Sequence, residues 1–206
     1  MDTPGRKRLF MLQNRIVPDV QRKRGQWRDT ISGIDPNHLV FLDESGVNLD
    51  MTRLYARGPH NQRVTDHVPL NTPTTTTVLS SIRIKKDLKY TVYQGGTTAA
   101  EFKNYLEKIL IPSIAPGDVV VMDNMRSHHA GVVTELLKKK NVNYLYLPPY
   151  SPDLNPIEKL WSKMKSSLRK AKIRTEDALL DGIQTALREI TPQDCKGWYR
   201  FCGYVQ

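Results

Sequence analysis

The sequence predicts an α/β fold: a mixed sheet in which an antiparallel strand group is followed by parallel strands, flanked by helices. Three stretches carry that expectation. Residues 74–84 and 88–94, rich in Thr, Val, Ile and Tyr, read as two strands joined by a turn at Lys85-Lys86-Asp87. Val119-Val-Val-Met122, a helix over 130–140 and Tyr144-Leu-Tyr-Leu147 read as a βαβ unit, whose strands are parallel with a right-handed crossover. From Ile157 onward, Leu160, Trp161, Met164 and Leu168 mark one apolar face of a long helix.

The remaining elements follow in order. Residues 1–37 are basic and weakly periodic, and they read as an arm or linker in which Asp19 caps a short helix through Val20, Trp27 and Ile31. Residues 38–206 read as one domain with its own core. Leu39-Val-Phe-Leu42 is a short buried strand that ends at the turn-like Asp43-Glu44-Ser45-Gly46. Residues 51–73 are polar and turn-rich. Thr98-Ala-Ala-Glu101 is a capping box ahead of Phe102, Tyr105, Leu106, Ile109 and Leu110, and Pro112 stops that helix. A helix capped by Thr175 and a short terminal helix with Trp198 and Tyr199 complete the chain.

Composition narrows the function. The chain has 206 residues, 39% hydrophobic and 25% charged, which suits a globular domain with a proper core. There is neither an apolar run of membrane length nor a signal-peptide pattern, and both points favour the cytoplasm. Cys195 and Cys202 lie seven apart, which is no zinc-ligand spacing, and read as reduced and structural. The net charge of +10 is concentrated: residues 1–31 carry +5 and residues 159–174 carry +7. Two basic blocks in a near-neutral remainder point to a nucleic-acid backbone. The candidate phosphate contacts are Arg22, Lys23 and Arg24 in the first block, and Lys159, Lys163, Lys165, Arg169 and Lys170 in the second.

Three acids stand at element boundaries. Asp43 and Asp123 follow buried strands, where ligand sites of α/β sheets gather. Glu158 follows a stretch with four prolines between 148 and 156, each ring fixing its own φ and restricting the residue before it. Asn155 suits an N-cap, Pro156 the first helical position and Glu158 the third, so Asn155-x-x-Glu158 also reads as a capping box. Three carboxylates brought together repel unless a cation neutralises them, and magnesium binds through a few carboxylates plus phosphate oxygens. This is the composition of a metal-dependent nuclease or strand transferase. Asn124 can support Asp123 through a hydrogen bond or make a turn. His128 can orient a scissile phosphate or a water. Glu44 reads as turn chemistry and Asp153 as loop structure; Trp161 packs in the core.

Phe41-Leu-Asp-Glu-Ser45, Val121-Met-Asp-Asn124 with His128, and Leu147-Pro-Pro-Tyr-Ser-Pro-Asp-Leu-Asn-Pro-Ile-Glu158 resemble the catalytic domain of mariner-superfamily insertion-sequence transposases. The 34 residues between Asp123 and Glu158 match that group's spacing. The resemblance implies a ribonuclease H-like fold, with Asp43, Asp123 and Glu158 as an Asp-Asp-Glu triad holding two Mg²⁺ ions that Mn²⁺ can replace. It implies hydrolysis at the ends of a DNA element, transfer of the freed 3′-hydroxyl into target DNA at TA, and a homodimer during reaction. Such transposases carry N-terminal helix-turn-helix domains, and about 37 residues precede the first catalytic strand here. The chain is expected to be a second reading frame, a truncated element or a shortened form, and in the first case a separate N-terminal DNA-recognition polypeptide is an expected partner. A non-catalytic, DNA-binding regulator of transposition is the competing expectation.

Overall fold

The protein is described by a computed structural model, which covers residues 17–53, 55–69 and 75–206. Five strands form one sheet: β1 (Leu39–Val47), β2 (Thr76–Ile82), β3 (Leu88–Gln94), β4 (Val119–Met122) and β5 (Asn143–Tyr146), in the order β3-β2-β1-β4-β5. β1 pairs antiparallel with β2 and β2 with β3, whereas β1–β4 and β4–β5 are parallel. The expected hairpin and βαβ unit are thus both present, and β1 joins them. The crossover helix α3 spans Gly131–Lys139. Lys86 takes the hairpin turn in the left-handed region (φ 63°), and its N–H donates to the Arg83 carbonyl. Thr74 lies outside the described residues.

β1 is longer than its apolar run suggested. Asp43-Glu44-Ser45-Gly46 is strand, because β2 supplies backbone partners from Ser80, opposite Asp43, to Thr76, opposite Val47. The turn-like composition yields to the ladder, since buried backbone groups must be paired.

Strand alternation sends side chains to two cores. On one face Leu39, Phe41, Val78 and Ile82 pack with α4 (Ile157–Ala171), α5 (Glu176–Arg188) and α6 (Pro192–Phe201). On the other, Val40, Leu42, Leu79 and Met122 pack with α3 and with α2 (Ala99–Tyr105), which starts at the expected Thr98–Glu101 capping box and runs on through Leu106–Leu110. Tyr199 of α6 reaches the middle of the sheet: its Oη lies 2.9 Å from the Leu39 carbonyl and 3.1 Å from that of Ile82, and its ring meets Phe41 edge-on. Both cysteines are free thiols.

The described part of the basic N-terminal segment is no detached arm. It contains α1 (Pro18–Ser32), whose Trp27 is buried in the α4–α6 core and donates its indole N–H to Tyr204 Oη at 3.3 Å. The sequence shows one aromatic there, too little to reveal the docking. Asp19 does not cap α1; it sits in the first turn and pairs with Arg22 and Lys23. Arg6, Lys7, Arg8 and Arg15 lie outside the described residues. No helix among the described residues is long and apolar enough to cross a membrane.

Candidate active site

Asp43 stands just beyond the point where the parallel pairing of β1 with β4 ends, and Asp123 directly follows β4. Glu158 lies in the first turn of α4. The three line one cleft of about 580 Å³, together with Glu44, Asn124, Met125, Asn155 and the 147–152 loop. A cleft of about 690 Å³ between α1 and the turn after α6 has no acid besides Asp153, which is paired with Arg24.

Asp43 is 8% exposed. Its Oδ1 accepts the Glu44 N–H at 2.8 Å; its Oδ2 accepts from Asn155 Nδ2 at 3.2 Å and from Trp161 Nε1 at 3.4 Å. Burial, followed by the charges of Asp123 and Glu158, pushes its carboxyl up to about 8. Asp123 is held differently. Its Oδ1 lies 2.8 Å from His128 Nδ1 and accepts the Met125 N–H at 2.9 Å. Burial pushes this carboxyl up, but the hydrogen bond and charge of His128 outweigh it, and Asp123 sits below the usual carboxylate range.

His128 is fully buried and stacks on the Phe102 ring at 4.1 Å. Its Nε2 lies 3.1 Å from Glu44 Oε2. Burial pulls its pKa down, yet the hydrogen bonds and charges of Asp123 and Glu44 prevail and push it up to about 9. At neutral pH it is an imidazolium donating from both nitrogens. Enclosed in this way, the ring grips two carboxylates and cannot itself touch a phosphate or a water in the cleft.

The start of α4 also departs from expectation. Asn155 and Glu158 form no capping box: the helix begins at Ile157 with no side-chain cap, and the Asn155 amide turns to Asp43 instead. The buried acid is the stronger claimant for that amide, since an enclosed acceptor left without a donor is costly, whereas the Glu158 N–H at the helix start already donates to the Asn155 carbonyl. Glu158 remains at the solvent-open rim. Burial and the charge of Asp123 raise its pKa, against Lys165 and Lys159. Asn124 does not bond the Asp123 side chain; its amide donates to the Leu147 carbonyl and its Oδ1 meets His129 Nε2, which ties the end of β4 to the chain after β5. Glu44 belongs to β1, not to a turn.

The basic candidates separate into committed and uncommitted groups. Lys163 pairs with Asp194 at 2.6 Å, Lys159 lies over the Phe201 ring, and Arg24 is bidentate on Asp153 and bonded to Ser151. Arg22 and Lys23 share Asp19. Lys165, Arg169 and Lys170 have no ion pair among the described residues. Lys165 and Arg169 continue the α4 stripe that starts at Glu158; burial and Arg169 lower the Lys165 pKa, against Glu158 and Asp43. None of the α1 cations lines the triad cleft.

An oxygen-only donor set with one carboxyl driven to about 8 by burial and like charge fits a hard divalent cation. Among the described residues no three His, Cys, Asp or Glu side chains form a ready cage, since Asp43 leans on Asn155 and Trp161 while Asp123 leans on His128.

The sequence pattern of the DDE superfamily endonuclease family matches residues 38–180, about two-thirds of the chain. This chain belongs to that family. The DDE domain is 29% identical over 94 residues to the Tc1 transposase of Caenorhabditis elegans, covering 44% of this chain and 34% of that protein. To the Tc3 transposase of the same organism it is 28% identical over 153 residues, covering 71% and 46%. The chain thus spans a third to under a half of the curated relatives it matches. Among solved structures it superimposes on a pre-cleavage Mos1 transpososome with a TM-score of 0.75 at 16% identity, covering 98% of this chain and 64% of that one. It also superimposes on the catalytic domain of Mos1 mariner transposase with a TM-score of 0.66 at 15% identity, covering 94% and 91%. The mixed five-stranded sheet is therefore of the ribonuclease H-like kind, as the motifs implied.

Proposed function

We propose that this DDE endonuclease domain cuts DNA at the ends of a mobile element and joins the freed 3′-hydroxyl to target DNA, at TA. The observation that carries this reading is the meeting of Asp43, Asp123 and Glu158, from three separate elements, on one cleft. Those three residues would hold Mg²⁺, two ions in all, with Mn²⁺ able to replace it; solved Mos1 paired-end complexes are described with Mg and with Mn. When bound, the ions supply positive charge to the attacking and leaving oxygens of a phosphodiester.

The chain's own residues prepare the site. Asn155 and Trp161 fix Asp43, and His128 fixes Asp123. Lys165 and Arg169, next to Glu158 on α4, take the backbone of the strand being cut. Water attacks first, leaving a 3′-hydroxyl and a 5′-phosphate; that hydroxyl then attacks a target phosphodiester, and the target's own 3′-oxygen leaves. The DNA partners are two element ends and a target, held by a homodimer at the nucleoid.

The test is cleavage of supercoiled plasmid with Mg²⁺ or Mn²⁺ by this chain and by Asp123→Ala. Metal-dependent nicking lost in the variant supports the reading, and joining of a 3′-ended oligonucleotide distinguishes a transferase from a plain nuclease. DNA binding without any nicking favours a regulatory product.

A further inference from the structure

We propose that Glu44 is a positioning residue for the Asp123 carboxylate, acting through His128; this rests on the metal-dependent reading above. Successive residues of a strand face opposite sides. Asp43 therefore points to the α4 side, and Glu44 to the α2–α3 side, after Val40 and Leu42. The Glu44 side chain is only 11% exposed, in an apolar row, and its Oε1 has no hydrogen-bond partner among the described residues. Among the described residues its side-chain tie is Oε2 to His128 Nε2, at 3.1 Å.

An isolated acid in an apolar row is poor packing, and a hydrophobic side chain would serve the core at least as well. It also brings a further negative charge to a cleft that already holds three. What it accomplishes is orientation. Turning the imidazole over about its Cβ–Cγ bond puts Cδ2 where Nδ1 was and Cε1 where Nε2 was, so anchoring Nε2 on Glu44 selects the orientation that presents Nδ1 to Asp123 Oδ1. Phe102 covers one face of the ring, and Tyr146 Oη, donating to the His128 carbonyl at 3.0 Å, fixes its backbone. Asp123 is 43% exposed and lies beyond the strand, so this is its main side-chain restraint. The hold uses Oδ1 and leaves Oδ2 uncommitted among the described residues. Glu44, His128 and Asp123 thus form a chain from the α2–α3 core to the cleft, on the face opposite the Asn155 and Trp161 hold on Asp43.

The experiment compares wild type with Glu44→Leu and Glu44→Gln. It measures melting temperature, Mn²⁺ binding to metal-free protein by titration calorimetry, DNA affinity, and nicking as a function of Mg²⁺. Glu44→Leu is expected to weaken Mn²⁺ binding and to raise the Mg²⁺ needed for half-maximal nicking, each on the order of tenfold, the usual cost of losing a partner that orients a metal ligand. DNA affinity stays within about twofold, because phosphate contacts set it. Glu44→Gln keeps an oxygen acceptor for Nε2–H and recovers most of the metal affinity. A folded Glu44→Leu with wild-type Mn²⁺ binding overturns the proposal, as does a Gln variant no better than Leu. Glu44→Met serves if Leu does not fold; failure of both to fold makes Glu44 a packing element and also overturns it. Wild-type protein that binds no Mn²⁺ would sink the catalytic reading itself, which keeps the two failures distinct.

Discussion

Asp43 and Asp123 stand side by side where two parallel strands part, yet the protein holds them in opposite ways. Asp43 is buried among neutral donors, the Asn155 amide, the Trp161 indole and a backbone N–H, and its carboxyl is pushed up to about 8. Asp123 is more open and faces a cation, and its carboxyl sits below the usual range. Neutral donors orient a buried acid, but they do not make up for lost water and repelling neighbours; a paired imidazolium does. Near neutral pH Asp43 therefore favours its protonated form, and a divalent cation held there as proposed would have to displace that proton.

Breaking either side separates activity from stability. Asp43→Asn and Asp123→Asn are each expected to reduce plasmid nicking on the order of a thousandfold or more, as groups acting as one unit do when any is lost. Their melting temperatures should move apart. Asp43→Asn relieves repulsion and raises that of metal-free protein at pH 8 by roughly 5 °C, whereas Asp123→Asn strips His128 of one of its two carboxylate partners and lowers it by a similar amount. Two shifts of the same sign would erase the contrast.

The pH profile sharpens it. Asp43 is raised from 3.8 to about 8, so the native state binds more protons than the unfolded chain across that window, and stability falls as pH rises through it. His128, raised from 6.5 to about 9, contributes stability that is complete below 6.5 and lost as pH rises through 9. Both act in one direction. Metal-free protein should melt lower at pH 9 than at pH 5 by scanning calorimetry, and Mg²⁺ should stabilise it more at pH 8 than at pH 5. A flat profile counts against the strained Asp43.

Trp161→Phe keeps the ring in the core but removes one donor to Asp43. Nicking should fall about tenfold, with the apparent Mg²⁺ requirement raised and the fold retained. The smallest effects belong to the surface cations. Lys165→Ala and Arg169→Ala should each lower the salt dependence of DNA binding by about one unit of slope, whereas Arg24→Ala should leave the slope alone and lower the melting temperature.

The sequence made the triad legible because each acid adjoins a strong local signal: an apolar run before Asp43 and Asp123, and proline punctuation before Glu158. What surrounds the triad was harder to read. Trp161 belongs to the apolar stripe of α4, and nothing local tells that its N–H finds Asp43 118 positions away. Asn155 has the composition of a cap, and only the buried acid opposite diverts it. Glu44 was hidden by turn-like neighbours, although extending the Val40–Leu42 alternation by one step places it on the α2–α3 face. The docking of α1 rests on Trp27 and Tyr204, a pairing no periodicity encodes. Local pattern thus locates the acids, whereas their partners come from tertiary packing.

The reach of Tyr199 to the Leu39 and Ile82 carbonyls has a consequence for biosynthesis. β1 leaves the ribosome well before the aromatic residues that seal it, since Tyr199 and Tyr204, which pack on Phe41, arrive some 160 positions later. Until then one face of the central strand is uncovered, so the nascent domain cannot close its larger core and must be kept from sticking to other chains by chaperones or by speed.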